Sequence, residues 1–115
     1  MEPDHPVSMS QTLQLVIALV ERQDVLISEH GYDALVADGL LVREIIAGIR
    51  DAVVVEAYPE YHKRPCVLVL QRDQQGKLIH VVWGIPQHAT APAVIVTAYR
   101  PDAARWTDDY LRRKT

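Results

Sequence analysis

Four side chains that can transfer protons or bind an anion interrupt aliphatic runs near the C-terminal end of the chain. His80 lies in one run rich in Val and Ile, and Thr97, Tyr99 and Arg100 lie at the end of the next. An imidazole can gain or lose a proton near neutral pH, and a tyrosine or threonine hydroxyl can donate a hydrogen bond. These four residues form a candidate site, although their chemistry alone does not name a substrate.

The relative placement of these residues depends on strand geometry. Thr97 and Tyr99 are two residues apart on one predicted strand, so their side chains share a face. Arg100 points to the other face unless the strand is twisted or bulged, a distortion that Pro101 favours. The register between the strand that contains His80 and the strand that contains Thr97 decides whether the two side chains meet. If the numbers of two paired residues sum to an odd value, His80 lies opposite Thr97 on the same face; if the sum is even, the two side chains lie on different faces. The sequence leaves the register open, and a purely structural role for His80 among its aliphatic neighbours also stays open.

Further candidates lie earlier in the chain. His30 follows Ser28, which can cap a helix, and the N–H groups at a helix start attract anions. A structural alternative is that His30 packs beside Tyr32. Lys63 and Arg64 occupy a polar connection between strands, where they either bind an anion or are simply solvated.

No pattern of metal ligands or cofactor binding occurs. His62, Cys66, His80 and His88 lack the close paired spacing of zinc ligands. The chain also has no nucleophile elbow, phosphate-binding glycine loop or dinucleotide fingerprint. The sequence therefore predicts neither a metal nor a cofactor.

Composition limits the chain to one soluble globule. It has 115 residues, of which 49% are hydrophobic and 23% charged, and this is enough for a single core. We expect a flexible tail over residues 1–8 and one domain over residues 9–115. The longest apolar stretch is too short to span a bilayer. The single cysteine and the absence of an export signal predict a cytoplasmic protein without disulfides.

Net charge counts against a protein that binds nucleic acid chiefly through phosphates. The formal charge is −3, whereas such proteins usually carry a positive charge or a basic patch. A local basic patch is still compatible with the sequence, because the C-terminal region contains Arg100, Arg105, Arg112, Arg113 and Lys114.

Hydrophobic periodicity predicts three helices and four strands. The helices are expected at about 9–22, from Ser28 to a stop at Gly39 with Tyr32, Leu35 and Val36 buried, and at about 41–49. Strands are expected at 52–58, 65–73, 77–85 and 93–100. Residues 24–28 form either an extended connector or an edge strand, and 106–113 a terminal helical turn. The predicted fold class is α+β, with the N-terminal helices packed on a four-stranded antiparallel sheet.

Several segments together resemble a known family. They are Ile27–Tyr32, Asp38–Gly39, Val55–Pro59, Ile79–Pro86 and Val96–Asp102, followed by Trp106. The chain resembles the bacterial family catalogued as domain of unknown function 4258 over roughly residues 10–110. That family is regarded as distantly related to RelE-like toxin ribonucleases, and some members are paired with small zinc-finger antitoxins.

The resemblance implies a RelE-like α+β fold and metal-independent cleavage of RNA. The family's Ser-x-His element falls on Ser28 and His30, and its Thr-x-Tyr element falls on Thr97 and Tyr99. Cleavage of this kind needs a base, an acid and groups that stabilise charge on the phosphate.

Our leading hypothesis is a toxin-like endoribonuclease or a decayed relative. In this hypothesis His30 acts as the base or acid, and His80 is a further catalytic candidate. Thr97 and Tyr99 bind the phosphate or a base. The substrate-binding cations are Arg100, Arg64 and Lys63, and the partners are RNA and a small zinc-finger antitoxin. The alternative is a non-catalytic module that binds a protein through a sheet edge or through a surface around Trp83 and Trp106.

Overall fold

The computed structural model describes residues 11–61 and 64–114 as three helices and one sheet. The predicted tail at residues 1–8 and the candidate Lys63 lie outside the described residues. The elements in chain order are α1 (Gln11–Glu21), β1 (Val25–Ile27), α2 (Glu29–Asp38), α3 (Val42–Gly48), β2 (Val53–Tyr61), β3 (Arg64–Arg72), β4 (Leu78–Gly84) and β5 (Ala93–Tyr99). A short 3-10 turn, Ile49–Asp51, follows α3. None of the described helices combines the length and apolar character that a membrane crossing needs.

The sheet has five strands in the order β1-β5-β4-β3-β2. The predicted α+β class is confirmed, but the four-stranded antiparallel description is wrong. The stretch predicted as a connector or an edge strand forms the edge strand β1, which runs parallel to β5, with Val25 paired to Ala93. A strand of three residues is too short to show alternation, and its partner is distant in the sequence, so local pattern could not choose between the two alternatives.

One face of the sheet is covered by α1 and α3 and forms the main core. Val16 and Leu19 of α1 and Ile45 of α3 pack there and are at most 1% exposed. The strands contribute Val67, Val69, Ile79, Val81, Trp83, Ile95 and Ala98 to the same cluster. Residues 66–69 are buried without a break, because β3 is an interior strand with both faces covered.

A buried polar contact fixes α3 to this face. Gln71 of β3 is 1% exposed; its Nε2 donates to the Ile45 carbonyl at 2.8 Å, and its Oε1 accepts from Trp83 Nε1 at 2.9 Å. Each of these buried polar atoms therefore has a partner, which avoids the cost of an unsatisfied group.

Helix α2 covers the edge of β5 that β1 leaves open. Its N-cap Ser28 accepts from Gly31 N at 2.9 Å and donates through Oγ to the Val96 carbonyl at 3.0 Å. At the other end of α2, the Asp38 carboxylate accepts from Arg100 N at 2.8 Å. The predicted cap at Ser28 and the stop at Gly39, which is left-handed with φ of 64°, are both confirmed.

The predicted buried face of α2 is wider than the observed one. Leu35 is buried, but Tyr32 and Val36 are 60% and 64% exposed. The reason is that α2 lies beside the sheet edge instead of on a sheet face, so only a narrow side of the helix is covered.

Residues 101–114, which we call the C-terminal strap, do not form the predicted helical turn. Trp106 and Arg113 instead make an antiparallel bridge. The Asp109 carboxylate accepts from Thr107 Oγ1 at 2.6 Å and from Leu111 N at 3.0 Å. Such local bonds from an aspartate favour a turn over a helix.

Replacement of Gly31 by alanine should destabilise the fold. A Cβ at this position would lie 2.5 Å from the Ile95 carbonyl oxygen and 3.2 Å from that of Val96. At an exposed helix position, replacement of Gly by Ala raises the free energy of unfolding by up to about 1 kcal/mol. At Gly31 we expect the free energy of unfolding to fall instead, by roughly 1–3 kcal/mol, because the added methyl group overpacks the contact with β5.

Chemical denaturation of Gly31→Ala, with Asp33→Ala at an exposed position of the same helix as control, checks this expectation. A Gly31→Ala variant as stable as the parent chain would show that α2 does not approach β5 as closely as described.

Candidate functional site

The candidate site lies on the sheet face opposite α1 and α3, which we call the outer face. His80 pairs with Tyr99, and Val82 pairs with Thr97, so these side chains point away from the helix-covered core. The residue numbers of both pairs sum to an odd value, so His80 and Thr97 share a face as predicted for that register. His80 is directly opposite Tyr99, however, and not opposite Thr97, which lies two residues away along β5. A bulge follows, because Trp83 pairs with Ile95, which leaves Val96 as the extra residue.

Both ring nitrogens of His80 have hydrogen-bond partners. The side chain is 0% exposed. Its Nε2 lies 2.9 Å from the Tyr110 carbonyl oxygen, and its Nδ1 lies 3.3 Å from the Tyr99 hydroxyl. Because a carbonyl only accepts, Nε2 carries the proton, and in the neutral ring Nδ1 accepts from Tyr99.

Burial controls the charge state of this pair. Burial, with the nearby Arg113 charge, lowers the pKa of His80 below the ordinary histidine value, an effect that the Tyr110 carbonyl and the Glu56 carboxylate oppose. Burial also raises the pKa of Tyr99 above the ordinary tyrosine value. At neutral pH the site therefore holds a neutral imidazole and a protonated phenol.

The C-terminal strap covers His80. The Trp106 ring lies edge-on to the imidazole, with 4.3 Å between centroids, and is 4% exposed. The Arg113 guanidinium lies 4.7 Å from the centre of the Trp106 ring, which is a cation–π distance. Arg113 also donates to Glu56 of β2 at 3.0 Å. The strap thus reaches across the outer face from β5 to β2.

Glu56 holds the end of the strap as a carboxylate. The Tyr58 hydroxyl donates to it, and Arg113 pairs with it. The hydrogen bond from Tyr58 and then the interactions with Arg113 lower the pKa of Glu56, so it is ionised at neutral pH.

An arginine-lined groove of about 300 Å³ opens beside Tyr99. Its lining residues are Tyr99, Arg100, Asp102, Arg105, Trp106 and Arg113. Arg105 is largely exposed and lies 4.0 Å from Asp102. Three guanidinium groups and a phenol can bind the oxygens of a phosphate, although Asp102 reduces the positive charge.

Arg100 also has a structural role. Its guanidinium donates to the Asp73 carboxylate at 2.8 Å and to the Leu78 carbonyl at 3.1 Å. These bonds connect the end of β5 to the turn between β3 and β4, so only part of the guanidinium is available to a ligand.

Two sequence-predicted candidates are not brought to the outer-face group. His30 is exposed at the start of α2, and Arg64 is half-buried at the start of β3. Among residues 11–61 and 64–114, neither makes a hydrogen bond, ion pair or ring contact with His80, Thr97 or Tyr99. The structure gathers Thr97, Tyr99 and His80 on one face and places Arg100 at the adjoining groove.

Sequence reasoning missed the residues that enclose the site. Tyr110 contributes a backbone carbonyl, which leaves no signal in a sequence. Trp106 belongs to the family resemblance, Arg113 belongs to the basic C-terminal region, and Glu56 lies in a segment that carries the family resemblance. The predicted surface around Trp83 and Trp106 is wrong, because these rings are 0% and 4% exposed.

Within the described residues, no three His, Cys, Asp or Glu side chains lie close enough together to share a metal ion.

The lowered pKa of His80 predicts a pH-dependent stability. Below about pH 6.5, the ordinary histidine value, the unfolded chain binds a proton that the folded chain resists, so stability falls as pH falls towards the folded-state pKa. The slope is at most about 1.4 kcal/mol per pH unit for one group. Glu56, whose pKa is lowered from an ordinary 4.5, contributes only at lower pH.

Denaturant unfolding between pH 5 and 7 checks this expectation. His80→Gln removes the titrating group and should flatten the dependence of the free energy of unfolding on pH. The control His88→Asn, at an exposed loop position with φ of 61°, should keep the same pH dependence as the parent chain. A slope unchanged by His80→Gln would contradict the lowered pKa.

Comparison with known proteins identifies the family of the chain. The model of the family described as Domain of unknown function (DUF4258) matches residues 27–100, more than half of the 115 residues. No curated protein and no solved structure matches the chain, so a relationship to RelE-like ribonucleases stays a prediction. The matched residues include His80, Thr97 and Tyr99, while the C-terminal strap follows them. The chain therefore belongs to the DUF4258 family.

Proposed function

We propose that this chain is a toxin-like, metal-independent endoribonuclease whose site is the His80–Tyr99 pair and the adjoining groove. One observation carries the proposal: a phenol bonded to a buried imidazole borders a groove lined by three arginines. Proton transfer and charge stabilisation are the two functions that RNA cleavage requires.

The reaction begins at the ribose 2′-hydroxyl. Tyr99 takes the 2′ proton as it passes its own phenolic proton to His80 Nδ1. The 2′ oxygen forms a bond to phosphorus and the bond from phosphorus to the 5′ oxygen breaks, which leaves a 2′,3′-cyclic phosphate. The leaving oxygen takes a proton from water, and the imidazolium returns its proton to solvent through Tyr99.

The surroundings of His80 keep the ring neutral and so able to accept a proton at neutral pH. Burial and the Arg113 charge favour the neutral ring, whereas the Tyr110 carbonyl and Glu56 favour the protonated one. Because the net effect lowers the pKa of His80, the imidazolium readily gives up its proton again. Guanidinium groups in the groove stabilise the charge that develops on the phosphate, and Thr97 lies on the same face to contact the phosphate or a base.

Local charge supports an RNA substrate even though the whole chain is acidic. The formal net charge is −3. Residues 100–114 nevertheless contain five of the 12 Lys and Arg residues: Arg100, Arg105, Arg112, Arg113 and Lys114. Arg100, Arg105 and Arg113 line the groove, and Arg112 and Lys114 belong to the same basic segment, which gives the sugar–phosphate backbone a favourable approach.

A partner protein is part of the proposal. A small zinc-finger antitoxin would inhibit the enzyme by covering the outer face, where the basic strap offers an acidic partner several cations.

The second candidate function is a protein-binding module without catalysis. Leu26 on β1 and Tyr32 and Val36 on α2 are each at least 60% exposed. They give the β1 edge of the molecule an apolar character that a protein partner can bury. In this case His80 is only a structural residue with satisfied hydrogen bonds.

Removal of one hydroxyl separates the two functions. Tyr99→Phe retains the ring but cannot relay a proton, so RNA cleavage by the purified chain should fall by about 100-fold or more. Tyr32→Phe, at an exposed tyrosine outside the site, should cleave like the parent. Circular dichroism establishes that both variants are folded.

Three results contradict the nuclease. One is an absence of cleavage by the parent, another is full activity in Tyr99→Phe, and the third is equal loss in both variants. Cleavage that is lost in His30→Ala but kept in Tyr99→Phe would move the site to the start of α2.

A further inference from the structure

The C-terminal strap, in its closed position, restricts access to the proposed His80–Tyr99 pair. His80 is wholly buried, and the Tyr99 hydroxyl that must meet a ribose points at His80. Trp106 and Tyr110 of the strap occupy the other side of the imidazole. The groove reaches Tyr99, but a ribose contacts its hydroxyl on the His80 side only when the strap moves.

The strap is held at Trp106, Tyr110 and Arg113. Trp106 packs on His80, the Tyr110 carbonyl accepts one hydrogen bond, and Arg113 pairs with Glu56 and interacts with Tyr58 and the Trp106 ring. The side chains of this ion pair are 59% and 38% exposed, and exposed pairs contribute at most about 1 kcal/mol and weaken with salt. The strap is thus attached at its far end by an interaction that another anion can replace.

A phosphate is a suitable competitor for Glu56. It can accept two parallel hydrogen bonds from a guanidinium. When Arg113 leaves, Glu56 keeps its hydrogen bond from Tyr58, so the exchange leaves no unpaired buried charge. Arg105, Arg112 and Lys114 are exposed on the strap and provide the first contacts with a polyanion.

We infer that residues 101–114 are a self-inhibitory strap that RNA phosphates open by drawing Arg113 away from Glu56. This inference rests on the proposed function, and it makes the substrate the activator of its own site. It also places the strap outside the matched family domain, which ends at residue 100. The matched domain supplies the His80–Tyr99 pair and Arg100, whereas the strap supplies Arg105 and Arg113 of the groove as well as the control.

Tryptophan accessibility in the full chain tests the strap directly. The chain has two tryptophans: Trp83 lies in the core, and Trp106 is exposed when the strap opens. A single-stranded DNA oligonucleotide serves as the probe, because it carries phosphates but no 2′-hydroxyl and cannot be cleaved by this route. Acrylamide quenching should rise about twofold or more when the oligonucleotide is added, as expected for a local opening.

Variants identify the contact that opens. Glu56→Gln should show raised quenching without any oligonucleotide, whereas Asp33→Asn, at an exposed acid on α2, should behave like the parent. In Trp106→Phe the rise should disappear, because the reporter is gone. Unfolding midpoints establish that each variant is folded under the conditions used.

The strap and the nuclease fail in different experiments. If the oligonucleotide leaves quenching unchanged, or if Glu56→Gln is quenched like the parent, the strap inference is overturned, and RNA cleavage can still be observed. If quenching rises as expected but the parent does not cleave RNA, the strap stands as a polyanion-sensitive element and the nuclease is wrong.

Discussion

The hydrogen bonds of His80 are the constraint on which the outer face depends. A buried polar group without a partner costs about 1–3 kcal/mol, and this ring is 0% exposed. Tyr99 satisfies one nitrogen from the neighbouring strand, and Tyr110 satisfies the other from the strap. The β4–β5 register and the path of the strap must both be correct for these two bonds to form. Loss of either would leave a nitrogen of the ring without a partner in the closed fold.

The edge helix and the bulge together set that register. Ser28 bonds to the Val96 carbonyl, and Gly31 brings the helix against the same backbone. The bulge at Val96 separates the segment that faces the core at Ile95 from the segment that presents Thr97 and Tyr99 on the outer face. Residues at the start of α2 therefore contribute to the site by positioning β5, even though His30 itself makes no hydrogen bond or ring contact with His80 or Tyr99 in the described part of the chain.

Local features were predictable from the sequence, and long-range pairing was not. The cap at Ser28, the stop at Gly39 and the aliphatic strands follow from local chemistry. The parallel strand β1, the bulge and the strap each depend on a contact between distant residues, and Tyr110 contributes only its backbone. The sequence therefore identified His80, Thr97 and Tyr99 as candidates but left their register open. His80 is hydrogen-bonded to Tyr99, whereas His30, which the sequence favoured, is exposed at the start of α2.

The protonation state of His80 tests the central claim most directly. Nitrogen-15 NMR of the full chain at neutral pH reports which ring nitrogen carries the proton, and a pH titration reports the pKa. The account predicts a single neutral tautomer with the proton on Nε2 and a pKa below the ordinary histidine value, because burial opposes the charge and the Tyr110 carbonyl fixes the proton. A proton on Nδ1, or a mixture of tautomers that titrates at the ordinary value, would contradict it.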